Sequence, residues 1–172
     1  MKSEQGFSLI ELLVVVGIIL VIAAIAIPNL LQSKMAANEA AAASTLRTIA
    51  TANLTYTATY NVGFAGGLAA LGPPAAGAPI DSSAADLIDS TLAVDPTTKN
   101  GYVFTYLPVN TPTSLAPNPT YSATATPVSP AASGRSTFCI DQTGKVGKDI
   151  SGATVASADT GCDFAADKFN PM

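Results

Sequence analysis

The sequence predicts an α+β fold: one long amino-terminal helix, hydrophobic at its start, packed on a small antiparallel β-sheet as an α/β roll. Three observations carry this. From Phe7 to about Tyr60 only Gly17 and Pro28 interrupt a helix-compatible run. Residues 61–100 are dense in Gly and Pro, the composition of a connector. From Gly101 onward, short runs of β-formers alternate with prolines. A helix followed by successive strands is the order of an α+β layer. The expected parts are a hydrophobic helix over 7–28, an amphipathic helix half over 29–60, a connector over 61–100, and a sheet with its carboxyl-terminal loop over 101–172. A chain of 172 residues suits one folded unit plus an anchor.

The segment from Phe7 to Ile27, about 21 residues, is long enough as a helix to cross a hydrocarbon core of roughly 30 Å. It contains one ionisable group, Glu11, near its amino end. A carboxylate at mid-membrane disfavours insertion by roughly 2.5–3.5 kcal/mol, so Glu11 calls for a specific partner. Three readings compete. A secretory signal would use Ala24-Ile25-Ala26 as its cleavage site, but the run is too long, it contains Glu11, and helical sequence continues past Pro28. A plain one-pass anchor leaves Glu11 unexplained. The third reading is a leader cut between Gly6 and Phe7, before the apolar run.

The string GFSLIELLVVVGIILVIAAIAIPNL, beginning at Gly6, closely resembles the amino terminus of type IV pilins and the related pseudopilins of type II secretion. The resemblance covers about the first 35 residues. It implies that residues 1–6 are a leader, that a membrane-embedded prepilin peptidase cuts after Gly6, and that the new terminal Phe7 is N-methylated. It also matches Glu11 to the family's glutamate at the fifth position after the cut, and Pro28 to the proline that ends the apolar run. The fold implied is the pilin roll, with a disulfide-bounded loop near the carboxyl end. The function implied is that of a structural subunit polymerising into a helical homopolymer, the type IV pilus, for adhesion, twitching motility or DNA uptake. The alternative is a pseudopilin building a periplasmic pseudopilus. Before assembly, the resemblance places the precursor in the inner membrane, leader cytoplasmic and carboxyl-terminal domain periplasmic, in contact with the lipid bilayer and an inner-membrane assembly platform.

The charge of Glu11 is readable without the family. After cleavage Phe7 carries a positive amino group four residues away, on the same helix face, and the helix dipole favours a carboxylate there. One chain satisfies its own charges in this way. In the intermolecular version, which the resemblance implies, Glu11 pairs with the Phe7 amine of a neighbour. Breaking a buried pair by removing one partner costs roughly 3–5 kcal/mol, so such a pair selects axial register.

Pro28 lacks the donor for the carbonyl of Ala24 and crowds it, and Gly17 lowers helix propensity, so a kink is expected between them. A permanently bent anchor and a segment that loses helicity in a filament are both consistent with these residues. Over 29–60, Met35, Ala42, Leu46, Ile49, Tyr56 and Tyr60 recur at helical spacing and mark the face that packs on the sheet. Glu39 and Asn53 interrupt that stripe, so it is no strict coiled-coil seam. Thr55, Thr57 and Thr59 weaken the helix end. In the connector, residues 82–89 read as a short capped helix pinned by Leu87, Ile88 and Leu92.

Strands are expected over 101–107, 120–126, 135–141 and around 145–148, three or four in all, with Asp141-Gln142-Thr143-Gly144 as a tight hairpin between the last two. Cys139 and Cys162 are the only cysteines, and in an exported protein such a pair reads as a disulfide closing a loop of about 24 residues, for roughly 3 kcal/mol. This pair fits the position where the resembled family has its bridge. Free thiols or a metal site are the competing readings, and no His or CxxC accompanies them.

The remaining chemistry is sparse. With no His, no phosphate loop and no haem-attachment motif, the sequence offers no catalytic residue, no cofactor and no metal centre, and the reading is of a non-enzyme. Net charge is −4, with 8 basic and 12 acidic residues, so nucleic-acid binding through a basic surface is not indicated. Asp141, Asp149, Asp159, Asp163 and Asp167 make the carboxyl end acidic. Calcium binding, as in some pseudopilins, is one reading, but the spacing is no EF-hand loop and solvated surface is the expectation. Asn53-Leu54-Thr55 fits a glycosylation sequon but lies on the expected helix.

Overall fold

The computed structural model describes residues 7–108, 117–150, 162 and 170–172. The chain divides into two compact units, Met1–Lys34 and Met35–Met172. A single helix, α1 (Leu9–Tyr60, 52 residues), supplies the first unit and the opening of the second. The helix assignment runs unbroken through Gly17 and Pro28.

In the second unit, α1 is followed by α2 (Leu68–Leu71) and six strands: β1 (Thr97–Lys99), β2 (Tyr102–Pro108), β3 (Tyr121–Pro127), β4 (Thr137–Asp141), β5 (Val146–Asp149) and β6 (Asn170–Pro171). They form one antiparallel sheet in simple chain order. The four expected strands are β2 to β5. The sheet exceeds the expected three or four strands because β1 and β6 add three and two residues at its edges. Such short segments carry too little alternation to be read as strands.

Burial follows the predicted periodicities in β2 and in the later half of α1, whereas β4 is buried on both faces. In β2 it alternates, with Tyr102, Phe104 and Tyr106 buried and the residues between them half-buried. Met35, Ala42, Leu46, Ile49 and Tyr56 of α1 are buried, and Tyr60 is half-buried with its ring 5.0 Å from that of Tyr56. The polar residues that break this stripe hold the helix to the rest of the unit. Asn38 Nδ2 donates to the Ser133 carbonyl at 2.8 Å. Glu39 Oε1 accepts from the backbone N–H groups of Arg135 and Ser136, and its Oε2 accepts from Lys148 Nζ at 3.0 Å. Burial pushes the Glu39 carboxyl up, but these donors together outweigh it and hold the group below its ordinary range. Asn53 is fully buried: its Oδ1 accepts from Ala65 N–H at 3.1 Å and from the Tyr106 hydroxyl at 3.0 Å, while Nδ2 donates to the Ile49 carbonyl. A side chain so enclosed is no glycan acceptor in this fold.

The threonines at the end of α1 are compatible with helix because their hydroxyls donate to the carbonyls four residues back, Thr55 to Thr51, Thr57 to Asn53 and Thr59 to Thr55. The helix reaches Tyr60, and Asn61, with φ 55°, leaves it through the left-handed region.

The short helix expected over 82–89 is absent. Asp81 does cap a turn, its Oδ1 accepting from Ser83 N–H and hydroxyl. The next backbone donors then turn away from a helical path. The N–H groups of Ala85, Asp86, Leu87 and Ile88 donate to the carbonyls of Ala70, Gly72 and Leu71, at and beside α2. Asp86 sits at φ 54°, outside the helical region. The anchoring role holds: Ile88 and Leu92 are buried and Leu87 packs on the core. Close to α1, Gly63 (φ 78°) lies against the Asn118 backbone, where a Cβ would meet the Asn118 carbonyl oxygen at 2.3 Å. The contact is tied by Phe64 N–H to Asn118 O, Asn118 N–H to Val62 O, and Asn118 Nδ2 to Ala65 O.

Candidate assembly site on the long helix

The first unit presents apolar side chains on all sides. From Phe7 to Lys34 every residue is exposed except the half-buried Ala23. By length and composition this is the one helix among the described residues suited to crossing a membrane. A helix apolar all round has no stable solution facing water; its side chains require lipid or other helices.

Glu11 is the sole ionisable residue between Phe7 and Leu31. Phe7, Ile10, Glu11, Val14 and Val15 line one shallow depression, so the structure brings Phe7 and Glu11 to one face as their spacing predicts. Glu11 has a partner within its own chain: its Oε2 accepts from the Ser8 N–H at 2.9 Å. Ser8 precedes the first helical residue and Glu11 stands three further on, the Ser-x-x-Glu spacing of a capping box. The bond satisfies a backbone donor that the helix leaves unpaired and places the carboxylate at the positive end of the dipole. That spacing is legible in the sequence, and a reading of Glu11 as a charge needing a distant partner passes over it.

Gly17 is exposed, with no atom within 4 Å of where a Cβ would stand. Pro28 is also exposed within the helix. Gly6, the residue before the expected cut, lies outside the described residues.

At the other end of the chain, Cys139 of β4 and Cys162 form a disulfide with Cα atoms 5.8 Å apart, both buried. Asp141 reinforces that closure: its Oδ2 accepts from Cys162 N–H at 3.3 Å, and its Oδ1 accepts from Thr143 N–H and hydroxyl within the β4–β5 turn. Asp141 and Asp149 are both buried, not solvated as expected. Asp141 is tolerated there because its oxygens meet donors on both sides. Asp159, Asp163 and Asp167 lie outside the described residues. Among the described residues no three His, Cys, Asp or Glu side chains are grouped to hold a metal.

Comparison with known proteins bears on the amino-terminal stretch. The family described as the prokaryotic N-terminal methylation motif matches residues 1–27. The type IV wide pilus major component PilA4 of Thermus thermophilus is 51% identical over 39 residues, which is 23% of this chain and 30% of that protein's length. No solved structure matches the chain. The chain thus carries the prokaryotic N-terminal methylation motif over residues 1–27, and its likeness to the pilus component spans under a third of that protein's length.

Proposed function

We propose that this chain is a structural subunit that loses residues 1–6 by cleavage between Gly6 and Phe7, is methylated on Phe7, and polymerises into a type IV pilus filament at the cell surface. The observation that carries the reading is the first unit itself: a helix with its apolar side chains uncovered all round and a single carboxylate at its start. In the membrane, lipid covers these side chains, and the Ser8 N–H partly satisfies Glu11. In the filament, neighbouring helices replace lipid, and Glu11 faces the terminal ammonium of an adjacent Phe7. A subunit out of register leaves that charge bare, so the pair sets the axial step. Gly17 and Pro28 bound the stretch where the helix bends or loosens on packing. The partners on this reading are other copies of the chain, the prepilin peptidase, and an inner-membrane assembly platform.

The test joins intact mass to sheared-surface preparations. The mature chain is expected to lack residues 1–6, carry a methyl group on Phe7, and occur in long surface fibres. Retention of Met1 overturns the processing, and a purely periplasmic product points to a secretion pseudopilus instead. Glu11→Ala is expected to insert in the membrane normally and form no fibres. Normal fibres from Glu11→Ala would remove the intermolecular pairing.

A further inference from the structure

The edge of the sheet at β2 ends in an unusual way. Asn100 and Gly101, both at positive φ, form the two-residue turn between β1 and β2, and the ladder runs Lys99↔Tyr102, Thr98↔Val103, Thr97↔Phe104. Beyond Phe104 no backbone among the described residues pairs with β2 on this side, although β3 pairs with it along its whole length on the other. Successive backbone N–H groups of a strand point to opposite sides. Those of Tyr102 and Phe104 face β1, so position 106 and position 108 are the two rungs left open.

Both are closed. The Tyr106 N–H donates to the Asp95 carboxylate, 3.2 and 3.3 Å from its two oxygens. In the β1–β2 register residue 95 lies opposite residue 106, so the Asp95 side chain occupies the rung that a strand would have filled. Position 108 is Pro, which has no N–H to offer. A carboxylate at this rung also places negative charge where an incoming strand would bring a carbonyl oxygen.

Exposed strand edges are templates for pairing, and the same edge on two copies is self-complementary when they meet antiparallel across a two-fold axis. We propose that Asp95 is an edge guard: its carboxylate on the Tyr106 N–H, followed by Pro108, bars β2 from pairing with the β2 of a second copy. The role is independent of filament assembly and confines association of this chain to surfaces other than its sheet edge.

The experiment uses the full chain in detergent at one chain per micelle, with amide hydrogen exchange at Tyr106 and sedimentation equilibrium as readouts. In the wild type the Tyr106 amide exchanges at least about tenfold slower than an unbonded amide, as expected for a hydrogen bond of this kind. Exchange at the unbonded rate overturns the proposal without any variant. Asp95→Ala is expected to lose that protection at low concentration and regain it as concentration rises, in step with dimer formation. Asp95→Asn, which keeps an acceptor oxygen, is expected to stay monomeric like the wild type. An Asp95→Ala chain that stays monomeric, or that associates with Tyr106 still unprotected, overturns the guard, as does an Asp95→Asn chain that dimerises like Asp95→Ala.

Discussion

Every buried residue of α1 lies between Met35 and Tyr56, and none lies between Leu9 and Lys34. One continuous helix therefore contains two solutions to the same problem. In the later half the apolar residues follow a single stripe, and the partners that cover it are strands and loops of the same chain. In the earlier half the apolar residues go all the way round, and the described chain supplies no cover. A stripe encodes an intramolecular contact, whereas an unbroken apolar surface encodes a need for a different medium or for other molecules. The same difference governs charge: Glu39 is held by donors about a hundred residues away in sequence, whereas among the described residues Glu11 accepts from the Ser8 N–H, three residues away.

The widest separation between the halves is expected from matched leucines. Leu46→Ala should destabilise the second unit by about 2–5 kcal/mol, because Leu46 is fully enclosed, while Leu20→Ala should leave its unfolding unchanged to within about 0.5 kcal/mol. Denaturant titration of the full chain in detergent, followed by tyrosine fluorescence, measures both. Equal effects would mean that the two halves do not differ as their burial indicates. Removing the Cys139–Cys162 bridge by the paired Cys→Ser change should cost about 3 kcal/mol, all of it in the second unit. Exchange of amides before residue 34 should not respond.

The smallest of the three effects sharpens the contrast in charge. Glu39 in the folded protein titrates below its ordinary value of 4.5, so its contribution is present above that pH and is lost as pH falls through the lower folded value. Glu39→Gln should reduce stability by about 1 kcal/mol at neutral pH, and the gap from the wild type should close in acid. A gap that stays constant down to low pH would show that the carboxylate charge plays no part in holding α1 to the loop at Arg135 and to Lys148.

The stripe on α1 and the strands β2 to β5 were legible in the sequence because periodicity of burial is a local property. The roles of Glu39 and Asn53 were not. Both break the apolar pattern, and their partners, the N–H groups at 135–136 and the Ala65 and Tyr106 groups, stand at separations no local rule connects. Residues 82–89 carried sound helix-start signals, and Asp81 does form its turn. Tertiary hydrogen bonds beside α2 then took the donors a helix would have used. At the candidate assembly site the motif around Phe7 and Glu11 was fully legible, and so was the Ser8–Glu11 cap. The burial of Asp141 was not, since it depends on where Cys162 closes.

The unbroken helix has a mechanical consequence. Past the buried Met35, tension drawn along the α1 backbone from its amino end meets its first side-chain hydrogen bonds to the sheet-bearing unit at Asn38 and Glu39, which grip Ser133, Arg135, Ser136 and Lys148. Only after four turns of helix does it reach Asn53. These bonds tie the helix to the loop before β4 and to β5, so load carried along α1 passes into the sheet-bearing unit through side-chain hydrogen bonds and not through the strand ladder.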